Sequence, residues 1–234
     1  MSQHSNQGPR VLKHPLISRL FHWGLILGFL PAAITGFLIW LKPLPDDLQN
    51  LVMQIHIIGA SILTIACIFY ILFGLDRIVA FVRRIFSFDE RDIAWLKVCG
   101  GYPQKMLFGK TIPVPPMGKM NSGQKQMGIM MLIGGILLIV TGWALYAFLP
   151  VAPKAVMYWF DMVHLVVGLV LGVSVFAHIF LGIYNWGEFL CMFGDGTQTI
   201  EEAKHHNPVW VENEIMPVNA KDSGTAAKQY QVHR

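Results

Sequence analysis

Charged side chains are missing from four long intervals of this chain, residues 20–41, 48–75, 126–153 and 162–187. Each interval holds the roughly 20 apolar residues that a helix needs to cross a bilayer. The apolar runs are continuous rather than alternating, which favours helices over barrel strands. The pattern predicts spans near 16–41, 52–75, 126–149 and 157–186. Arg10, Lys13 and Arg19 precede the first run as they would in a signal peptide. That run is longer than a typical signal core, however, and no clean small-residue cleavage site follows it. It reads as a retained helix with a kink at Pro31.

Outside the spans the pattern is broken. Residues 1–15 are polar and expected to be mobile. "KPLPDDLQN" ends the first span and starts the second through its prolines and aspartates. In the long segment 77–125, "VRRIFSF" at 82–88 reads as an interfacial amphipathic piece, with Arg83 and Arg84 near anionic head groups. Turn formers crowd residues 99–126, where a short hairpin is expected near 106–114. After 188, Thr197 or Thr199 is placed to cap a short helix through 200–206. Residues 217–234 read as disordered. The organisation is a flexible N-terminus (1–15), a four-helix membrane domain (16–187, including the loop 77–125) and a C-terminal tail (188–234).

Composition agrees with the pattern. Of 234 residues, 54% are hydrophobic and 14% charged, against about 25% charged in ordinary soluble domains. Mean hydropathy is +0.49. The basic residues are bunched. Three lie before the first span, nine between the second and third, and four in the C-terminal tail, while the two remaining connections have only Lys42 and Lys154. By the positive-inside rule both termini and the long loop face the cytoplasm. The net charge of +4 reflects this bias, and no basic-aromatic interleaving points to nucleic acid. Cys67, Cys99 and Cys191 form no CxxC or CxxCH motif, so neither an iron–sulfur cluster nor covalent haem is indicated.

The chemistry lies in four histidines within the apolar runs. His164 and His178 are fourteen residues apart. On a helix that is about 21 Å along the axis and within roughly 40° of one direction. His22 stands near the cytoplasmic end of the first span and His56 near the outer end of the second. With the fourth span running inward, the depths pair His56 with His164 and His22 with His178. Histidine in hydrocarbon marks function by default, and two imidazoles facing across a flat gap suit bis-histidine haem. Gly59, Gly168 and Gly182 are placed to make room for a macrocycle. Arg19 is placed to meet propionates of the inner group, and Lys42 and Lys154 are the only bases on the other side. Zinc fits less well, because no Cys or carboxylate joins either pair. A proton relay lacks intramembrane Asp or Glu.

Two haems at two depths carry electrons across a membrane, and a quinone is the natural membrane acceptor. "GKMNSGQKQMG" at 118–128 opens the third span, and Asn121, Gly123 and Gln124 offer amide and backbone bonds to a quinone oxygen. Asn121 or Ser122 equally suits a helix cap, and both readings stand at this point. Trp23, Trp40, Trp159 and Trp186 read first as interface anchors, and Trp210 as a residue that tucks in the tail. His205 and His206 could shuttle protons or simply be exposed.

The segments "RLFHW" (19–23), "IHIIG" (55–59), "GKMNSGQK" (118–125), the His164/His178 spacing and "KHHNPVW" (204–210) together resemble the gamma subunit, cytochrome b556, of respiratory formate dehydrogenase. The resemblance reaches from about residue 16 to 215. The His22–Trp23 pair and the two-histidine helix occur more widely, in cytochromes b of hydrogenases and related oxidoreductases. It implies an all-α integral membrane four-helix bundle with two b-type haems and both termini cytoplasmic, in a bacterial inner membrane. By that resemblance His56 and His164 ligate the outer haem and His22 and His178 the inner one. A menaquinone or other quinone sits among Asn121, Gly123, Gln124 and His178. The resemblance also implies partners: a periplasmic four-cluster iron–sulfur beta subunit and a molybdenum or tungsten alpha subunit that oxidises formate, with trimers of the heterotrimer. This chain would transfer electrons and reduce quinone rather than oxidise formate itself. Two departures stand out. The family has His-Pro where this chain has His56–Ile57, and "TIPVPP" lengthens the loop between Cys99 and Met120.

Other classes fit less. A hydrogenase or another molybdenum or tungsten oxidoreductase as partner keeps the haems and changes the donor. A transporter predicts inverted repeats or broken helices, and neither is visible. A purely structural anchor predicts tolerance of substitution at all four histidines.

Overall fold

The computed structural model describes residues 8–41 and 44–216. Lys42, the first seven residues and the stretch 217–234 read as disordered lie outside the described residues. The chain divides into two compact units. One comprises the described residues up to Leu16, Ala80–Gln126 and those from Asn185 onward; the other comprises Ile17–Val79 and Met127–Tyr184.

The second unit is built from four long helices: α1 (Leu16–Leu41), α2 (Asp46–Phe73), α6 (Ser122–Phe148) and α7 (Lys154–Tyr184). All four are long and apolar enough to cross a bilayer. Their side chains meet in a cluster around Phe29, Leu63, Leu171 and Val175. α1 begins where the apolar pattern predicts. α2 and α6 begin six and four residues earlier than expected, and α7 three earlier. The apolar runs mark what faces lipid or core, whereas starts are set by polar caps beyond them. Asp46 and Asp47 occupy the first turn of α2, where the helix dipole favours negative charge. At the start of α6 the Asn121 and Gln124 side chains each accept the other's backbone N–H at 2.9 Å, a reciprocal cap.

α1 and α2 approach closely through glycine. A Cβ on Gly28 would lie 2.6 Å from the Leu63 nitrogen, and one on Gly59 would lie 2.8 Å from the Gly28 oxygen. Gly59 therefore brings two backbones together and does not make room for a macrocycle, as its spacing from His56 suggests. Thr64 of α2 accepts the indole N–H of Trp143 on α6 at 3.0 Å.

The first unit holds α4 (Glu90–Lys97), α5 (Tyr102–Phe108), α8 (Trp186–Phe193), α9 (Ile200–His206) and the strands β1 (Arg10–Leu12) and β2 (Thr197–Thr199). α3 (Leu75–Ile85) carries Arg83 and Arg84 in its last turn; of the amphipathic piece expected at 82–88, residues 82–85 lie on this helix and 86–88 follow it. Residues 8–15 are pinned rather than mobile. β1 pairs antiparallel with β2, Val11 opposite Gln198, and Arg10 donates to the Thr197 hydroxyl at 2.7 Å. Two segments nearly two hundred residues apart form this sheet, so no local pattern announces it. Thr199 caps α9 in a capping box with Glu202, as one of the two predicted caps. Trp210 is 1% exposed and packs with Val11, Ala203 and Val211, so it anchors the tail within this unit's core.

The expected hairpin near 106–114 is absent. Gly109 has φ +64° and closes α5: its N–H bonds the Lys105 carbonyl and the Lys110 N–H reaches back to Gln104. That is a Schellman helix stop rather than a strand turn. Pro113, Pro115 and Pro116 then remove the donors that a second strand would need.

Candidate redox site

The four histidines all lie in the second unit and pair as the depth argument requires. The rings of His56 on α2 and His164 on α7 have centres 6.1 Å apart with planes at 71°. Those of His22 on α1 and His178 on α7 are 6.4 Å apart at 62°. A metal bonded to one nitrogen of each of two opposed imidazoles, at roughly 2 Å per bond, puts ring centres about 6 to 6.5 Å apart. Rotation about that axis is free, so both interplanar angles are compatible with it. An edge-to-face contact between neutral rings spans the same distance, so the decision rests on what the ring nitrogens do.

For His56 and His164 the hydrogen bonds answer that. His56 Nδ1 lies 2.9 Å from the Ala32 carbonyl oxygen and 3.2 Å from Thr35 Oγ1. A carbonyl only accepts, so Nδ1 carries the proton and donates. His164 Nδ1 lies 2.9 Å from Thr141 Oγ1, and that hydroxyl gives its own proton to the Leu137 carbonyl at 2.6 Å. Nδ1 of His164 must therefore donate as well. Each ring keeps Nε2 as a lone pair, the state in which imidazole binds a metal. Neither Nε2 has a hydrogen-bond partner among the described residues.

Two glycines shape the same place. A Cβ on Gly36 would lie 3.1 Å from His56 Cε1, and one on Gly142 would lie 2.9 Å from His164 Cε1. Each imidazole thus rests over a glycine of the helix facing it. Spacing from the histidines alone misses Thr35, Gly36, Thr141 and Gly142. The signal that could have found them is a Thr-Gly pair in the last third of two spans. Gly168, by contrast, meets only Leu138 Cδ2 at 3.9 Å.

Among the described residues no three His, Cys, Asp or Glu side chains converge on a point. Each pair supplies two ligands, so a macrocycle with its own four nitrogens fits the donor set better than a bare cation. Arg19, one turn before His22, has its Nε buried without a hydrogen-bond partner among the described residues, a donor available to a propionate.

The other predicted site residues lie in the first unit. The Asn121 and Gln124 carboxamide oxygens are engaged in the α6 cap. Gly123 packs on Trp95, where a Cβ would meet the indole at 2.9 Å. A polar cavity of about 160 Å³ is lined by Ser87, Asp92, Gly118, Lys119 and Lys125 among others, and by none of those three. Lys125 is buried there and donates to the Ser87 carbonyl at 2.6 Å and to Asp92 at 2.7 Å. No local pattern in the sequence marks that pair, whose members are 33 residues apart. His205 and His206 end α9 with exposed side chains, their ring centres 4.7 Å apart. Trp23, Trp40, Trp159 and Trp186 are exposed on the structure, as interface anchors would be. Cys67, Cys99 and Cys191 are free thiols, and burial pushes the Cys191 thiol up to about 12, an inert state.

Residues 13–194 match the prokaryotic cytochrome b561 family. The chain is 28% identical over 222 residues to the cytochrome b556(Fdn) subunit of the nitrate-inducible formate dehydrogenase of Escherichia coli (strain K12), covering 90% of this chain and 94% of that protein. It is 24% identical over 220 residues to the formate dehydrogenase cytochrome b556 subunit of Haemophilus influenzae, covering 88% and 84%.

Proposed function

The chain belongs to the prokaryotic cytochrome b561 family, and from that membership we propose that it is the membrane cytochrome b subunit of a formate dehydrogenase complex. It is an integral membrane protein of a haem b family. In this reading it takes electrons from a periplasmic iron–sulfur subunit and delivers them to a quinone near the cytoplasmic side, and formate is oxidised on a molybdenum or tungsten subunit. Both termini and the segment 77–125 face the cytoplasm, following the distribution of Lys and Arg. The domain division at 15/16 and 187/188 belongs to the same reading.

The carrying observation is a pair of facing imidazoles at each of two levels of α7, 6.1 and 6.4 Å apart, with the Nδ1 bonds of His56 and His164 leaving Nε2 as the lone pair. His56 and His164 would hold the outer haem b, and His22 and His178 the inner one. When bound, such a group supplies one-electron redox chemistry at a potential tuned by its axial ligands and their surroundings. The protein holds the His56 and His164 imidazoles in the metal-binding tautomer, recesses them over Gly36 and Gly142, and packs Phe29, Leu63, Leu171 and Val175 between helices. Arg19, whose buried Nε has no hydrogen-bond partner among the described residues, would donate to a propionate of the inner group. The quinone takes its hydrogen bonds from Asn121 and Gln124, with Gly123 beside them. Because the carboxamide oxygens of Asn121 and Gln124 are committed to the cap, their NH₂ groups are what this segment offers a quinone oxygen.

Haem content and reduced-minus-oxidised visible spectra of the detergent-purified complex test the reading. Two b-type haems per chain, reduced on addition of formate, are expected. Two haems that formate leaves oxidised would move the donor to a hydrogenase-like partner. Absence of haem from protein made in haem-replete cells would end the ligand assignment.

A further inference from the structure

The same local device occurs twice, each time facing one ring of the His56–His164 pair. In α1 it is Ala32, Thr35 and Gly36; in α6 it is Leu138, Thr141 and Gly142. The threonine hydroxyl donates to the carbonyl four residues earlier, Pro31 or Leu137, at 2.6 Å in both helices. Its oxygen lone pair then points to an imidazole Nδ1 on another helix, at 3.2 Å for Thr35 and 2.9 Å for Thr141. The same hydroxyl lies 3.1 Å from the Ala32 carbonyl in α1 and 3.5 Å from the Leu138 carbonyl in α6, and the Ala32 carbonyl also accepts from His56 Nδ1. The glycine that follows removes the Cβ that would strike Cε1. The flanking sequences differ: α1 has Pro31 four residues before its threonine, and α6 has Leu137. A shared triad in dissimilar surroundings points to a shared task at the rings.

We infer that Thr141 and, more weakly, Thr35 are positioning residues that set the redox potential of the group held by His56 and His164. This rests on the reading that those histidines are axial ligands. An acceptor on Nδ1–H pushes electron density toward Nε2 and raises ligand basicity. A more basic ligand favours the oxidised metal, which lowers the potential of this group. The two threonines differ in weight. His56 keeps the Ala32 carbonyl at 2.9 Å if Thr35 loses its hydroxyl, whereas for His164 the Thr141 hydroxyl is the close acceptor.

The test is a redox titration of the two haem signals in the purified native complex carrying Thr141→Val, Thr141→Ser or Thr35→Val. Valine keeps the shape and removes the acceptor; serine keeps the acceptor. Thr141→Val is expected to raise one of the two potentials and leave the other in place. A tenfold change in preference for the oxidised state is about 59 mV for one electron, and the shift should be of that order. Thr35→Val should shift the same signal less, and Thr141→Ser should titrate like the parent. Unchanged potentials in Thr141→Val with both haems retained would overturn the inference, and so would a serine variant that behaves like valine. If Thr141→Val loses one haem, retention in Thr141→Ser supports the inference and loss from both overturns it. His164→Ala separates the premise: two haems with parental spectra in that variant would remove the ligand assignment itself, whatever the threonines do.

Discussion

Lys125 and Thr141 are both buried polar side chains of α6, 9% and 6% exposed, and they are satisfied in opposite ways. Lys125 belongs to the first unit and is held by charge. Its ammonium donates to Asp92, which is 1% exposed and also accepts from the Ser122 hydroxyl at 2.8 Å. Lys13 repeats the arrangement in the same unit, donating to both Glu188 oxygens at 2.7 Å and to Asn207. Thr141 belongs to the four-span unit and is held by neutral hydrogen bonds to a backbone carbonyl and an imidazole. Lipid-facing helices exclude unpaired charge and tolerate hydroxyls that bond their own backbone. The first unit instead ties distant segments together with ions. Buried ions are specific and demanding, because removing one partner strands the other. Neutral bonds between spanning helices are worth less, about 0.6 kcal/mol on average.

Cutting the ionic kind should therefore give the largest effect. Asp92→Ala leaves Lys125 buried without its counter-ion and is expected to cost about 3–5 kcal/mol, read as a fall in the thermal midpoint of the solubilised complex. Adding Lys125→Met should recover most of the loss, since an apolar replacement for a buried pair is often neutral. If the single and double variants melt together, the pair carries no such weight. Packing in the four-span unit comes next. Gly28→Ala drives a methyl into the Leu63 backbone at 2.6 Å and should cost about 1–3 kcal/mol by overpacking. It should also separate α1 from α2, with lowered haem retention as a second readout. Gly135→Ala, with nothing within 4 Å of its Cβ, is the matched control and should be silent.

This contrast also explains what could be read from the chain. Four spans, and histidines paired by depth, follow from periodicity and chain direction, because in a bilayer both are imposed by thickness. Thr199 was legible for a local reason: a cap is a pattern of three or four residues. The β1–β2 pairing, the Lys13–Glu188 contact and the Asp92–Lys125 pair join residues separated by 33 to 187 positions, with nothing local to mark them. The "GKMNSGQK" segment shows the ambiguity within a single motif. Its Asn121 and Gln124 form the cap that a helix start requires, and their remaining donors are free to do something else. The hairpin expectation failed because glycine after a short apolar run ends a helix as readily as it turns a strand.

The smallest effect lies three residues from the largest. Asp89 and Asp92 share one capping box: the Asp89 side chain accepts from the Arg91 and Asp92 amides, and the Asp92 side chain accepts from the Asp89 amide. Asp92 is buried and holds a lysine, whereas Asp89 is 47% exposed beside Arg91. The Arg91 guanidinium, helped by the amides at the start of α4, holds the Asp89 carboxyl down at about 2. A depressed carboxylate contributes stability above its unfolded value near 3.9 and loses it as pH falls through the folded value. The window for Asp89 is therefore about pH 4 down to pH 2, and exposure makes the contribution small. Asp89→Asn keeps a capping oxygen and removes the charge, so it should match the parent closely at neutral pH and lose less stability across that acid window. Asp89→Ala removes the cap itself and should cost about 1 kcal/mol at neutral pH. Acid melting curves of the three proteins test the difference between the two aspartates. An Asp89→Asn variant as acid-sensitive as the parent would assign that sensitivity to carboxylates elsewhere, with the buried pairs first among them.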